Sequence, residues 1–165
     1  MPPTPPTAPP VSDREILTSR ILAAPRERVW LAWTDPRHLA AWWGPAGFTN
    51  TFDEHDLRPG GHWRYVMHGP DGTDYRNHCI YAEIDEPARL VFDHVSGPVF
   101  RVAATFESVA GGTRVSFRQT FETDDVCFRV RRFAVDANEQ NLDRLAAELA
   151  SMAGERPRPG ASEIR

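Results

Sequence analysis

Few side chains here can do acid–base or metal chemistry near neutral pH, and their spacing limits what they are fit for. There are six histidines. His62 and His68 share one parity of an alternating run, and Glu54-His55-Asp56 lies just upstream. Neighbours on a strand point to opposite faces, so His55 cannot join both flanking carboxylates. No His-Glu-x-x-His run and no Cys/His cluster at ligand spacing is present. No metal and no cofactor is expected. Asp93-His94 resembles an acid–base pair on paper, but on a strand the two side chains diverge. His94 keeps register with Leu90 and Phe92, which places it toward the interior. There it is either a hydrogen-bonded core residue, the commoner state, or a proton carrier beside a pocket.

Other reactive constellations are missing. Gly60-Gly61 and Gly111-Gly112 precede strands, whereas phosphate-cradling loops precede helix N-termini. There is no Gly-x-Ser-x-Gly elbow, no Walker sequence and no nucleophile beside an evident base. The two cysteines, Cys79 and Cys127, are far apart and form no Cys-x-x-Cys pair, as expected of reduced thiols. No catalytic residue is therefore assigned.

A net charge of −4 over 165 residues gives no electrostatic footprint for nucleic acid or an anionic membrane. The N-terminus lacks the charged start and apolar core of a signal peptide. No apolar run is long enough to span a bilayer. The expected location is the cytoplasm, and the expected state a monomer or homodimer.

The elements that must position any site are legible from periodicity. Residues 1–12 are rich in proline, with only Thr and Ala between the prolines up to Pro10, and read as a disordered tail. Residues 13–153 read as one domain, and 154–165, interrupted by Pro157 and Pro159, as a second tail. Arg14 to Ala23 suits a first strand ending at Pro25. A helix follows with Val29, Trp30 and Trp33 at helical spacing, then a stop and restart at Thr34-Asp35-Pro36. Asp35 is placed as N-cap and Pro36 at the first helical position. Leu39, Trp42 and Trp43 fall on one stripe before Gly44-Pro45 ends the second helix. From Phe48 the period drops to two. Six strands follow, joined by short turns, which implies an antiparallel sheet. Phe52 and Leu57 mark the first of these six. A long helix from about Asp124 to Ala153 closes the chain, its apolar stripe read as Val126, Val130, Phe133, Ala137, Leu145, Leu149 and Met152, with Asn141 upon it.

Several runs resemble one family. They are Trp42-Trp43-Gly44-Pro45, Arg58-Pro59-Gly60-Gly61-His62-Trp63, Glu83-Ile84 with Pro87, Arg89-Leu90-Val91-Phe92, and Leu142-Asp143-Arg144-Leu145. From about Arg14 to Met152 the chain resembles the START-like (SRPBCC) helix-grip superfamily. The similar branch is named after the activator of the ninety-kilodalton heat-shock protein's ATPase. The resemblance implies an α+β helix-grip fold: a curved antiparallel sheet of about seven strands, two short helices after the first strand, and a long C-terminal helix across the concave face. It also implies a cavity between sheet and helix, where the wider superfamily holds apolar small molecules. Relatives often carry Gly-Trp where this chain has Ala137-Asn138, so an amide replaces a ring near the cavity mouth.

The expected function is binding of a small apolar or aromatic ligand. The alternatives are a polyketide cyclase, dehydratase or hydrolase working in the same cavity, with His94, Gln119 or Tyr65 as acid–base groups, or a chaperone-interacting protein. The residues expected to line the cavity are Trp43, Trp63, Tyr65, Met67, Phe92, His94, Phe106, Phe117, Gln119, Val130, Phe133 and Asn141.

Overall fold

Period-two alternation and Gly/Pro turns divide most of the chain into strands, and the computed structural model describes these elements over residues 12–154. The readings of both tails lie outside the described residues, save for their innermost positions. The order is β1 (Glu15–Leu22), α1 (Arg26–Thr34), α2 (Pro36–Trp42), β2 (Thr49–His55), β3 (His62–His68), β4 (Asp74–Asp85), β5 (Arg89–His94), β6 (Phe100–Val109), β7 (Gly112–Phe121) and α3 (Asp124–Gly154). The seven strands form one antiparallel sheet in the order β1-β7-β6-β5-β4-β3-β2. This is the expected α+β helix-grip class. Leu57 does not belong to β2, which ends at His55.

Side-chain parity decides which face each strand buries. Trp63 and Tyr65 on β3 point inward, paired in register with Cys79 and Asn77 on β4. Phe92 and His94 on β5, Val102, Ala104 and Phe106 on β6, and Val115, Phe117 and Gln119 on β7 continue that face. The opposite parity carries charge: Arg101 meets Asp93, and Arg64 meets Glu54. His62 and His78 also lie on this outer parity, with Nδ1 and Nε2 2.8 Å apart.

The short helices start and stop where their chemistry dictates. Asp35 caps α2 by accepting from the Arg37 N–H at 3.0 Å, and Pro36 occupies the first turn. The hydrogen bonds from Arg37 hold the Asp35 carboxyl below its usual value. Gly44 then turns the chain at φ 104°, a conformation that a β-carbon penalises.

Helix α3 is fastened along its length. Arg20 of β1 reaches Glu139 at 2.6 Å and Asp143 at 2.7 Å, and His38 of α2 meets Glu148 at 2.7 Å. Its inward face differs from the expected stripe. The buried residues are Cys127, Ala134, Asn138, Asn141, Leu142, Leu145 and Leu149. Phe133, expected inside, is 73% exposed, and Val130 is only half-buried. The N-terminal half of the helix turns small and polar residues inward, so the largest apolar side chains do not mark its packed face.

Two consequences for stability follow. Leu145→Ala should destabilise the fold by about 2–5 kcal/mol, because Leu145 is fully buried in the main core. Phe133→Ala should change it by less than about 1 kcal/mol. Urea denaturation of the two variants checks both. Comparable losses would put the packed face of α3 elsewhere.

Candidate functional site

Tryptophans fill one half of the space between sheet and helices. Trp30 and Trp33 of α1 cover Phe106 with ring centroids 5.8 and 5.5 Å away. Trp42 packs edge-on against Trp33 at 4.9 Å, its indole N–H donating to the Ala32 carbonyl. Trp43, directly after α2, touches Trp33, Trp63, Phe92 and Phe117. Trp63 in turn stacks on Tyr65 at 4.4 Å and meets Phe52 and Phe92. The edge-to-face geometry is the one aromatic quadrupoles favour.

The other half, facing the middle of α3, is not filled. Where α3 presents Ala137, Asn138 and Asn141, a cavity of about 250 Å³ remains. Of the residues expected to line it, Trp43, Tyr65, Met67, Phe92, His94, Phe117, Gln119 and Asn141 do so. Four do not. Trp63 and Phe106 are sealed in the tryptophan-filled half. Val130 packs with Ile16, Phe121 and Cys127 in a separate small cluster. Phe133 is on the solvent side of α3. The lining also includes Gly44, Pro45, Asn77, Pro98, Phe100, Ala137 and Asn138, which were not expected there. Alternation in β4 was a signal for Asn77, since it shares parity with Cys79 and Tyr81. Asn138 was reachable as the residue three before Asn141 on a helix.

The polar groups of the cavity are mostly amides, each held by specific bonds. Asn141 Oδ1 accepts from the Gly44 N–H at 3.0 Å. Gln119 Oε1 accepts from Asn138 Nδ2 at 2.8 Å, and Asn138 also reaches Thr18 Oγ1. The Tyr65 hydroxyl accepts from the Trp43 indole N–H at 3.0 Å. His94 Nδ1 donates to the Pro98 carbonyl at 2.8 Å, and Nε2 stands 2.7 Å from Asn77 Oδ1.

Burial governs the electrostatics. It pushes the Tyr65 phenol well above its ordinary value and the Cys79 thiol up to about 12. Neither ionises near neutral pH, so Cys79 supplies no thiolate. For His94 several effects compete. Desolvation is the largest and holds the group below the usual imidazole value, against the opposing hydrogen bonds with the Pro98 and Ser96 backbone. His55 is lowered for the same leading reason. Among the described residues no group of three or more His, Cys, Asp or Glu is placed to hold a metal ion. No helix among them is long and apolar enough to cross a membrane.

Residues 23–150 match the model of the family described as Activator of Hsp90 ATPase homolog 1-like protein. The chain belongs to that family, the branch of the helix-grip superfamily that its motifs resemble. No curated protein matches the chain. Among solved structures, a Nitrosomonas europaea protein is 21% identical with a TM-score of 0.80, covering 88% of this chain and 99% of its own. An Arthrobacter aurescens protein is 27% identical with a TM-score of 0.78, covering 84% and 87%. An Aeromonas hydrophila AHSA1-like protein is 24% identical with a TM-score of 0.71, covering 88% and 98%. Similarity at 21% and 24% speaks to the fold alone.

The three lowered histidines, His55, His78 and His94, give a signed pH dependence. The folded chain binds fewer protons than the unfolded one wherever only the unfolded imidazoles are charged. Their contribution to stability is therefore complete above about pH 6.5 and is lost as pH falls from there toward the folded values. Denaturation midpoints measured from neutral to mildly acidic pH should fall, and His94→Gln should flatten that fall. A midpoint that rises on mild acidification would contradict the assignment.

Proposed function

We propose that this family member is a non-catalytic binding protein for a small apolar or aromatic compound, held between the sheet and α3. The observation that carries the reading is the unfilled volume of about 250 Å³ beside Trp43, Phe92, Phe117 and Met67, with a few amides at one end. An apolar body set by a small number of fixed polar groups is how such pockets orient ligands. A cavity near 150 Å³ is enough to take up benzene, so this one suits a one-ring or short-chain compound. The two unpaired cysteines suit a reducing compartment such as the cytoplasm.

An enzymatic reading gains less support. Both His94 nitrogens are already engaged, no carboxylate lines the cavity, and Tyr65 and Cys79 stay protonated. A general base needs a free lone pair within reach of the proton it removes.

An environment-sensitive apolar dye should bind, quench tryptophan fluorescence and be displaced by small aromatic compounds. Ala137→Phe places a ring in the cavity and should weaken dye binding by about tenfold or more while the far-ultraviolet circular dichroism is unchanged. A folded protein that takes up neither dye nor aromatic compound, or an Ala137→Phe variant that binds as well as the native chain, would rule the reading out.

A further inference from the structure

The amide end of the cavity has one donor whose orientation is fixed. The Gly44 backbone N–H can only donate, so its 3.0 Å bond to Asn141 fixes Oδ1 as the acceptor and turns Nδ2 away from the loop. Gln119 lies beside it, its Oε1 accepting from Asn138 Nδ2 at 2.8 Å. The N–H₂ ends of Asn141 and Gln119 have no hydrogen-bond partner among the described residues, although both residues are 7% exposed and line the cavity. Neither donor is sealed off from the cavity, so both are open to an acceptor bound there.

Charge points the same way. The lining contains no Asp, Glu, Lys or Arg. Its titratable groups are Tyr65, kept neutral by burial, and His94, which is either neutral or positive. The groups nearest His94 add no negative charge inside: Cys79, its register partner on β4, stays a thiol, and His78 lies on the outer parity. The cavity is therefore neutral or positive near pH 7 and never negative. Its other end, with Trp43, Phe92 and Phe117, is apolar.

We infer that the cavity selects compounds with an apolar or aromatic body ending in an oxygen acceptor, a ketone or a carboxylate, received by the N–H₂ groups of Asn141 and Gln119. This rests on the binding function proposed above and adds the chemistry of the ligand's polar end. A cationic end is disfavoured, because the lining holds no acid to pair with it.

The test is calorimetric titration of the full chain with four compounds of similar size: acetophenone, benzoate, toluene and benzylamine. At least one of acetophenone and benzoate should bind about tenfold more tightly than toluene, with benzylamine weakest. Their own ranking tells a neutral acceptor from an anion. Gln119→Met, close in shape, and Asn141→Leu should each erase most of that preference while toluene still binds, which shows that the cavity persists. If Asn141→Leu loses toluene as well, Gln119→Met alone decides. Toluene or benzylamine equalling both acceptors on the native protein would overturn the inference and leave the binding function standing. Failure of all four compounds would overturn both.

Discussion

Four carbonyl oxygens at the end of α2 converge on one guanidinium. Arg144 of α3 donates to Ala41 at 3.0 Å, to Gly44 and Pro45 at 2.9 Å each, and to Trp43 at 3.4 Å. The last carbonyls of a helix have no intrahelical partner, and a planar five-donor head meets several at once. The same segment is tied to α3 by Gly44 N–H to Asn141 and Ala46 N–H to Gln140, and to β2 by Asn50 donating to Ala40 and Trp43. Trp43 cannot move without breaking this set. Because Trp43 touches rings of α1, β3, β5 and β7, its position fixes how the tryptophan-filled half packs and where the cavity begins.

That division of the interior into a filled and an unfilled half follows from residue size. On the side of α1 and α2, four tryptophans supply more ring than the sheet needs. On the side of α3, the inward positions are Ala134, Ala137, Asn138 and Asn141, and nothing on β5 or β7 reaches across to replace the missing volume. Interiors pack near crystal density, and an unfilled space forfeits the contacts of every atom around it. A single ring at position 137 or 138 would occupy it. Retaining small residues and oriented amides there is the physical basis for reading the space as a site.

Most of the fold was legible before the structure, since strands such as β6 and β7 alternate cleanly and the turns carry Gly, Pro and Asp where tight geometry demands them. The Asp35-Pro36 cap is one place where local chemistry alone fixes a boundary. The phase of α3 was not legible. Ranking helical positions by apolar size picks Val130 and Phe133, but the packed face carries Cys127, Ala134, Asn138 and Asn141. Size misleads there because Asn138 and Asn141 face a cavity, while Cys127 and Ala134 fill a small cluster that Val130 only flanks. Trp63 and Phe106 were assigned to the cavity wall. On strand parity they face inward, but only the seating of α1 and α2 shows which inward residues are already covered. Asn77 and His94 illustrate the converse: parity puts both inside, and only the register of β4 on β5 shows that they meet.

The central claim is that a small molecule enters between the sheet and the middle of α3, next to Trp43. Nuclear magnetic resonance of the Met67 methyl and the five tryptophan indole N–H groups, during titration with a one-ring aromatic compound, tests it most directly. Met67 and Trp43 should shift in step and saturably, while Trp30, whose ring lies over Phe106, stays still. Saturable binding that leaves Met67 and Trp43 unmoved, or that shifts Trp30 instead, would contradict the account.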